Sequence, residues 1–588
     1  MTNRNVSNDI DKLISVFMLL ILSVACICCG PQTKICDVEV EIPVSPLLAL
    51  NETNEAAVIS VAKDSSFTDD VTIESVAFEL SSGSGLQDVV SAELLDKTAS
   101  VAFAASVGSV GSVGSVGSVV DNAAQNGTVA TKQINLKKGC TGHKVELVLE
   151  TPVVIASADT VRFAISLRLK DSIDMSNKIT FKPLYVATDR GKVAFDDNIK
   201  QELRVGVALR RKMQDGIAAR IPGLATTKAG TLLAIYDGRV GRYRDLQGDM
   251  DICVNRSTDG GATWSSMTKA IDMGEWGGLP QRYNGVSDGA ILVDENRGNI
   301  FIVALWMHGV LDPQTGKWVE GLTDTSTVWN HQWRSRGSQP GYGVKQSSQF
   351  LLVKSTDDGL SWSQPVNITR QVKSESWWLM APGPGRGITL DDGTLVFPAE
   401  GRLEDGLQVS TIVYSKDGGE TWRAGSPAYT NTNECMAVQL DDGSIMLNMR
   451  ERSNRNRSEN NGRAIMVTKD TAATWTEHPT SRNALIESAC QASLYKHIYT
   501  GADGEKRSIL FFFNPSSISN RDNFTLKCSL DNGETWPKEY WLLLDEQEGN
   551  GYSCITSIDN ETIGILYEGS GADMVFQQVK IKDVIKDL

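Results

Sequence analysis

Apolar and polar positions alternate along the N-terminal third of the chain. The alternation is clearest in residues 144–149, which read KVELVL, and in residues 161–167, which read VRFAISL. Successive side chains of a strand point to opposite faces, so a period of two predicts half-buried strands of an antiparallel sheet. We therefore expect residues 36–205 to form a small β-sandwich that precedes a larger C-terminal domain.

A glycine-rich repeat interrupts this region at residues 106–119, where Ser-Val-Gly occurs four times and is followed by Ser-Val. The segment has no charged residue and has glycine at every third position, so it cannot bury a constant face. We expect a flexible, exposed loop that carries no chemistry.

The pattern changes at about Arg211 to short apolar runs separated by Asp-Gly and Gly-Gly turns. Within it, an eight-residue motif recurs every 53 to 98 residues, in copies that begin at Ser257, Ser355, Ser415, Thr468 and Ser529. Its aspartate can accept backbone N–H bonds, its glycine supplies positive φ, and its tryptophan can pack the turn against its sheet. Such a repeat predicts a radial array of four-stranded sheets, in which these aspartates are structural rather than catalytic. Ala472 replaces the glycine of the fourth copy and predicts a distorted or differently closed turn.

The chain has 588 residues and a formal net charge of −15. Its length exceeds the size at which a single core normally stops growing, so two domains are expected. The negative charge argues against a nucleic-acid partner, since proteins that bind phosphate backbones are usually basic. An anionic ligand would have to be held by a local cluster of positive charge.

Residues 13–25, LISVFMLLILSVA, form an apolar run that is too short for a comfortable membrane span and lies where the core of an export signal belongs. We expect residues 1–30 to be a signal peptide. The mature protein, without a transmembrane span, would reach the periplasm, the outer-membrane surface or the exterior. Cys26 could become a lipidated first residue, although Ser23 fits the lipoprotein pattern poorly, so lipidation and simple cleavage both stay open.

The cysteines outside the leader and the five histidines show no pattern typical of a metal site or a disulfide framework. We expect these cysteines to be buried free thiols, and we expect neither a metal nor another cofactor. The dispersed cysteines are Cys140, Cys253, Cys435, Cys490, Cys528 and Cys554.

Arg220-Ile221-Pro222 precedes the first copy of the repeat. The eight-residue repeat resembles the Asp-box of sialidases. With this repeat and the Arg-Ile-Pro motif, the region from Arg220 to the C-terminus resembles the bacterial exo-α-sialidases, or neuraminidases. The resemblance implies that residues 211–588 form a six-bladed β-propeller with the active site at one end of its central channel. The N-terminal β-sandwich would then be carbohydrate-binding-like or would simply support the propeller. The implied activity is removal of terminal sialic acid from glycoproteins, glycolipids and oligosaccharides by a monomer.

Motif positions imply three arginines that hold the carboxylate of the substrate: Arg220, Arg450 and Arg521. A guanidinium makes bidentate, charge-assisted hydrogen bonds that the ammonium of lysine cannot reproduce. Other arginines close to the second of these lie in a polar loop and are predicted to be solvated: Arg452, Arg455, Arg457 and Arg463.

The same resemblance assigns Tyr552 as the nucleophile and Glu434 as the base that activates it. The anomeric carbon of a sialic acid bears a carboxylate, so an anionic nucleophile would approach against like charge, whereas a neutral phenol would not. A phenol with a pKa of about 10 then needs a base and nearby positive charge. Sialidases with a tyrosine nucleophile are a recognised exception to the two-carboxylate scheme of glycoside hydrolysis.

The general acid/base is implied to be Asp245, because its spacing from Arg239 matches the family, with Asp249 and Asp251 as close competitors. Arg239 would contact the sugar near its 4-position. Asp288 would bind the N-acetyl amide, although Gly289 stands where many relatives have proline.

Glu568 is implied to orient Arg220. These roles together imply hydrolysis with retained configuration through a covalent sialyl-tyrosine. Two other functions are compatible with the repeats: a noncatalytic propeller that binds sialoglycans, and an intramolecular or transfer sialidase that forms an anhydro-sugar or a new glycoside. Linkage preference depends on rim segments such as residues 309–342.

Overall fold

In the computed structural model of the protein, the described residues are 34–98, 128–133, 141–156, 159–245, 248–277, 281–308, 338–344, 347–456 and 461–586. The predicted signal peptide at residues 1–30 with Cys26, the repeat loop at 106–119 and most of the rim segment at 309–342 lie outside them. No helix within the described ranges combines the length and apolarity needed to cross a membrane.

The described residues form two compact units. The first contains the residues up to Pro43, Glu52–Leu169 and Lys178–Leu203, and the second contains Val44–Asn51, Lys170–Asn177 and the chain from Arg204 onward. The first eleven strands are β1 (Cys36–Glu41), β2 (Leu47–Ala49), β3 (Asn54–Lys63), β4 (Val71–Ser81), β5 (Val89–Asp96), β6 (Thr128–Gln133), β7 (Gly142–Ile155), β8 (Thr160–Leu169), β9 (Lys178–Thr188), β10 (Gly191–Ala194) and β11 (Gln201–Arg210).

The first unit is built from antiparallel strands. Strands β1, β3, β8, β5 and β6 form one sheet in that order, and β7, β4, β9 and β10 pair in a second series. The predicted alternation is confirmed in β7, where Val145 and Leu147 are buried while Lys144 and Val148 are exposed. The interior side chains include a stacked aromatic pair, Phe78 and Phe181, whose ring centroids are 5.0 Å apart.

The remaining elements all belong to the second unit. Its strands are β12 (Ile217–Thr226), β13 (Leu232–Val240), β14 (Met250–Ser257), β15 (Thr268–Ile271), β16 (Asn284–Val293), β17 (Ile300–His308), β18 (Gln349–Ser355), β19 (Val366–Asn367), β20 (Leu379–Pro382), β21 (Gly385–Arg386), β22 (Ile388–Thr389), β23 (Leu395–Arg402), β24 (Gln408–Ser415), β25 (Arg423–Ala424), β26 (Tyr429–Thr430), β27 (Thr432–Gln439), β28 (Ile445–Glu451), β29 (Ala464–Thr468), β30 (Thr476–Glu477), β31 (Ser493–Thr500), β32 (Lys506–Pro515), β33 (Phe524–Ser529), β34 (Trp541–Asp545), β35 (Ser553–Asp559), β36 (Thr562–Tyr567) and β37 (Met574–Lys580). One short α-helix, α1 (Thr369–Val372), and 3₁₀ turns at Gln214–Gly216, Gln281–Tyr283, Arg452–Asn456, Lys538–Tyr540 and Ile581–Asp583 accompany them.

These strands form six antiparallel blades within the described part of the unit. Blade 1 comprises β12–β15, blade 2 β16–β19, blade 4 β27–β30 and blade 5 β31–β34. In blade 3 the inner and outer positions are each divided between short strands, β20 with β22 and β25 with β26, around β23 and β24. Blade 6 consists of β35–β37 and is completed by β11, which pairs antiparallel with β37.

The inner strands of neighbouring blades contact each other in chain order, and β35 of blade 6 contacts β12 of blade 1. A strand packed on both faces must be apolar along its length, which explains the run Leu232 to Tyr236 in β13. Ile235 and Tyr236 point to opposite faces, and both are fully buried. The all-β class predicted from the sequence, with a propeller after a smaller β domain, is confirmed.

Each Asp-box forms the turn between the third and fourth strands of its blade, in blades 1 to 5. In the first copy, Asp259 accepts hydrogen bonds from the backbone N–H and the hydroxyl of Thr263, at 3.0 and 2.6 Å. The Trp264 indole donates to the Gly261 carbonyl at 2.9 Å and packs on Phe576 of blade 6, with ring centroids 5.1 Å apart. The aspartate is therefore structural, as the repeat predicts.

The fourth Asp-box closes with the same bonds although it lacks the glycine. Asp470 accepts from the backbone N–H and the hydroxyl of Thr474 at 2.9 and 2.6 Å, so the expected different closure was wrong. Ala472 adopts the glycine's conformation, with φ of +65°, at a cost of about 1–2 kcal/mol. The difference lies in Trp475, whose indole donates to the Ser426 carbonyl at 3.0 Å instead of to its own turn.

Candidate active site

The predicted site residues lie at the end of the propeller opposite the Asp-box turns. Arg220 and Glu434 are near the beginnings of inner strands, Arg450 is near the end of a second strand, and Tyr552 directly precedes β35. Because neighbouring strands of a blade are antiparallel, first-strand beginnings and second-strand ends share one edge. The topology thereby joins residues as distant as Arg220 and Glu568, which are 348 positions apart.

Tyr552 is at the centre of this arrangement and is only 7% exposed. Its hydroxyl donates a short hydrogen bond to Oε1 of Glu434. Nη1 of Arg450 donates to the other oxygen of that carboxylate at 2.5 Å and to the Tyr552 hydroxyl at 3.2 Å. Burial, followed by the charge of Glu434, raises the pKa of the phenol well above its ordinary value. The phenol is therefore protonated, and its proton points toward a carboxylate base.

Glu568 is fully buried and connects Arg220 with Tyr552. It accepts hydrogen bonds from Nε and Nη2 of Arg220 at 2.6 and 3.2 Å, and from the backbone N–H groups of Ile221 and Tyr552 at 2.7 and 3.1 Å. Ile221 has φ of +62°, an unusual conformation for a β-branched residue. In this conformation its N–H donates to Glu568, and strained backbone of this kind is typical of functional sites.

Arg521 and Arg220 lie on the ring of Tyr552, each with its guanidinium carbon 5.6 Å from the ring centroid. Arg521 donates to the Asn550 carbonyl at 2.6 Å, and no acidic side chain of the described ranges forms an ion pair with it. The three predicted arginines therefore meet at the predicted tyrosine.

Arg239 and Asp245 form a second polar group at the end of blade 1. Arg239 is fully buried and donates to Asp245 at 2.5 Å, to the Tyr243 carbonyl at 2.7 Å and to Asp237 at 2.8 Å. The side chain of Asp245 is 54% exposed. Desolvation favours its neutral form, but Arg239 and then Arg220 outweigh it, so the pKa of Asp245 lies below its ordinary value.

Asp288 is held close to this group through Asp237. Asp237 accepts hydrogen bonds from the backbone N–H of Asp288 at 3.1 Å and from the hydroxyl of Ser287 at 2.7 Å. Asp288 has φ of +56°, and burial followed by repulsion from Asp237 and Asp245 raises the pKa of its carboxyl well above its ordinary value.

The competitors of Asp245 have other partners. Asp251 lies on the third strand of blade 1, where its carboxylate pairs with Lys269 of the fourth strand at 2.7 Å and burial raises its pKa to about 7. Asp249 accepts a hydrogen bond from Gln281 at 3.3 Å. Of the three, Asp245 is the one whose carboxylate forms an ion pair with Arg239.

Two acidic residues of this site were not identified from the sequence. Asp237 orients Arg239, and the signal for it is the pair of polar residues at 237 and 239, which share one face at the end of an otherwise apolar strand. Glu400, at the end of β23, lies close enough to Glu434 that burial and then this charge raise its pKa to about 7. No motif marks Glu400.

Arg463 corrects a prediction, since it is fully buried rather than solvated. It pairs with Glu487 at 2.5 Å and donates to Asn448 at 2.7 Å and to the Cys490 carbonyl at 2.8 Å. Arg463 thus belongs to a buried charged network rather than to a solvated surface.

The arrangement can hold an anion against three guanidinium groups and bring its carbon close to a phenol that faces a base. The described ranges contain no group of three or more histidine, cysteine or acidic side chains suited to a metal ion. Five of the cysteines predicted to be buried free thiols are confirmed as such: Cys253, Cys435, Cys490, Cys528 and Cys554. Cys140 lies outside the described residues, and Cys36 is also free and buried.

Comparison with known proteins gives a consistent result. Residues 221–550 match the family model described as a BNR repeat-like domain. A sialidase from Bacteroides fragilis is 45% identical over 428 residues, which cover 72% of this chain and 74% of that protein. A sialidase from Micromonospora viridifaciens is 30% identical over 369 residues, 60% of this chain and 50% of that protein. The structure of the Hadza microbial sialidase Hz136 matches with a TM-score of 0.78 and 33% identity, over 93% of this chain and 99% of that one.

Proposed function

Because this chain belongs to the bacterial exo-α-sialidase family of glycoside hydrolases, we propose that it hydrolyses terminal sialic acid glycosides with retained configuration, through a covalent intermediate on Tyr552. The observation that carries the proposal is the hydrogen bond from the Tyr552 hydroxyl to Glu434 beneath three arginines. The substrates would be sialylated glycoproteins, glycolipids and oligosaccharides.

Charge balance supports the binding step. Arg220, Arg450 and Arg521 carry three positive charges, and the partners Glu568 and Glu434 carry two negative ones. The remaining positive charge matches the single carboxylate of a sialic acid. In a buried site this match has a large effect, because charges there are poorly screened by solvent.

The covalent step requires the phenol to lose its proton as its oxygen attacks C2. Glu434 takes that proton directly, since it already accepts the hydroxyl hydrogen bond. Arg450 contacts both groups and stabilises the negative charge that develops on the phenol oxygen. A preformed donor–acceptor pair of this kind avoids reorganisation in the transition state.

Asp245 would protonate the departing glycosidic oxygen and would then remove a proton from the water that releases the sugar. Its exposed position at the mouth suits both roles, since the aglycone and the water must enter from solvent. Arg239 would contact the sugar near its 4-position, Asp288 would bind the N-acetyl amide, and Glu568 would hold Arg220 in place.

The wider organisation is proposed on the same basis. The catalytic propeller is assigned to residues 211–588 and a carbohydrate-binding-like β-sandwich to residues 36–205, behind a signal peptide at 1–30. The protein would act as an exported monomer in the periplasm, at the outer-membrane surface or outside the cell, with or without a lipid on Cys26. Neither a metal nor a cofactor enters the proposed reaction.

Proton NMR of the first product formed from an α-linked sialoside tests the proposal. Free α-sialic acid is expected, whereas β-sialic acid would contradict a covalent intermediate. An anhydro-sugar would indicate an intramolecular reaction, a new glycoside would indicate a transferase, and binding without release would indicate a lectin-like propeller.

The nucleophile is tested separately by Tyr552→Phe, with Tyr499→Phe at the far end of β31 as the control. Turnover of an aryl sialoside should fall by about three orders of magnitude or more in the first variant, as expected when a reacting group is removed. It should stay unchanged in the second. Full activity of Tyr552→Phe would refute the assignment.

A further inference from the structure

The substituents of a sialic acid ring follow a fixed order. The carboxylate and the aglycone are on C2, a hydroxyl is on C4, the N-acyl group is on C5 and the three-carbon glycerol chain is on C6. The proposed binding residues follow the propeller in the same order, since Arg239 belongs to blade 1 and Asp288 to blade 2. With C4 facing blade 1 and C5 facing blade 2, the glycerol chain on C6 is directed toward blade 3.

Glu400 is the partly buried acidic side chain of blade 3 at that edge, whereas Glu404 and Asp405 of the following loop are exposed. It is two residues before the end of β23 at Arg402, and that strand end is at the same edge as the ends of β13 and β28. Residues alternate in a strand, so Glu400 and Pro398 share a face of β23. A Cβ placed on Gly383 would lie 3.0 Å from the Cβ of Pro398, and the same position lies beside the backbone of Cys435 in blade 4. Strand β23 contacts β27 of blade 4, and the charge of Glu434 acts on the Glu400 carboxyl, so these two side chains lie near each other.

Its carboxyl group has no structural partner to account for it. Among the residues that the structure describes, none donates a hydrogen bond to the Glu400 side chain or forms an ion pair with it, although the side chain is more than half buried. A partly buried carboxyl without a protein partner takes its hydrogen bonds from solvent, and a ligand that displaces this water has to replace them. Its opposite neighbours in the sheet are the small residues Ala381 and Ser410, and Glu400 keeps part of its surface exposed.

On the basis of the proposed function, we propose that Glu400 determines specificity by hydrogen bonding to the glycerol side chain of the bound sialic acid. Vicinal hydroxyls of that chain can donate to both oxygens of one carboxyl group. Burial beside Glu434 raises the pKa of Glu400 to about 7, so near neutral pH it can also donate to a hydroxyl oxygen. The residue would not take part in bond cleavage.

The test compares two substrates in the full-length protein. One is the 4-methylumbelliferyl glycoside of N-acetylneuraminic acid, and the other is the same compound after periodate cleavage and borohydride reduction have shortened its glycerol chain to one carbon. Glu400→Ala should lower kcat/KM about 10- to 100-fold for the intact substrate, the value of hydrogen bonds to a charged group. For the shortened substrate it should lower kcat/KM less than about threefold.

Two variants complete the design. Glu400→Gln keeps the shape and the hydrogen-bonding capacity, so it should recover much of the discrimination even where alanine disturbs folding. Glu420→Ala, exposed in the Asp-box turn of the same blade, should behave as the unaltered protein.

Equal losses on both substrates would overturn the proposal, because Glu400 would then act through Glu434 or the pocket shape. No loss on either substrate would overturn it as well. An unaltered protein that cleaves neither substrate would instead refute the sialidase function itself, and the inference with it.

Discussion

Replacing Glu434 by glutamine separates the two roles that the structure gives this residue. One oxygen of its carboxylate accepts a hydrogen bond from the Tyr552 hydroxyl, and the other accepts a hydrogen bond from the Arg450 guanidinium at 2.5 Å. Glutamine keeps nearly the same shape but cannot take a proton. The variant should therefore bind substrate and fail to activate the nucleophile.

The expected loss in kcat is about 10² to 10⁴-fold, the range for a positioned general base. Stability should fall too, because Arg450 is 5% exposed and its Nε already lacks a partner among the described residues. Removing one member of a buried ion pair costs about 3–5 kcal/mol, and the remaining amide hydrogen bond should reduce that value. KM should stay constant or fall, since an unpaired Arg450 attracts the substrate carboxylate more strongly.

The assay is steady-state cleavage of an aryl sialoside together with thermal unfolding, with and without free sialic acid. Sialic acid should raise the unfolding temperature of Glu434→Gln more than that of the unaltered protein, because its carboxylate replaces the missing charge. Glu477→Gln, exposed on the outer strand of the same blade, is the matched control. A tenfold higher KM with an unchanged kcat would refute the reasoning, since Glu434 would then serve binding rather than proton transfer.

Three further changes have expected outcomes of different kinds. Asp245→Asn should reduce kcat/KM for sialyllactose by about 10² to 10⁴-fold. The loss should be far smaller for an aryl sialoside, because a phenolate can depart without being protonated by an acid. Equal losses on both substrates would argue against the acid role of Asp245. Glu568→Gln should lower the free energy of unfolding by up to about 3–5 kcal/mol and abolish most activity, since it removes the charged partner of the largely buried Arg220. Denaturant titration measures the first effect and steady-state kinetics the second. Hydrogen bonds from the side chain and backbone of Thr421 lower the pKa of Asp417 to about 2. The ionised Asp417 therefore contributes fully to stability above about pH 3.9, its pKa in the unfolded chain, and this contribution is lost as the pH falls toward 2. At pH 7 the Asp417→Asn variant should unfold at a lower temperature than the unaltered protein, and this difference should vanish near pH 2.

Short motifs explain why much of the site was predictable. Arg220 and Tyr552 each stand in a short motif on which the resemblance to the sialidases rests, and the Asp-box copies mark the blades by turn chemistry alone. Such signals are local, since a turn or a strand end imposes its requirements on neighbouring residues.

Interactions between distant segments could not be predicted in this way. Nothing in the sequence around Glu400 indicates that blade 4 brings Glu434 beside it, and the completion of blade 6 depends on pairing Val207 with Phe576. Arg463 has a polar neighbourhood in sequence, but its partner Glu487 is 24 positions away. Burial of a charge is decided by tertiary contacts, which composition does not record.

The acid role of Asp245 sets a condition that the free site does not meet, because Arg239 and Arg220 hold the pKa of Asp245 below its ordinary value. A general acid has to be protonated when the glycosidic bond breaks. The substrate changes this balance, because its carboxylate brings a negative charge against Arg220 and its sugar ring displaces water from the mouth. Both effects favour the neutral carboxyl. In the proposed mechanism, recognition of the carboxylate is thus also what prepares the acid, which gives a physical reason for placing Arg220 and the proton donor on the same blade.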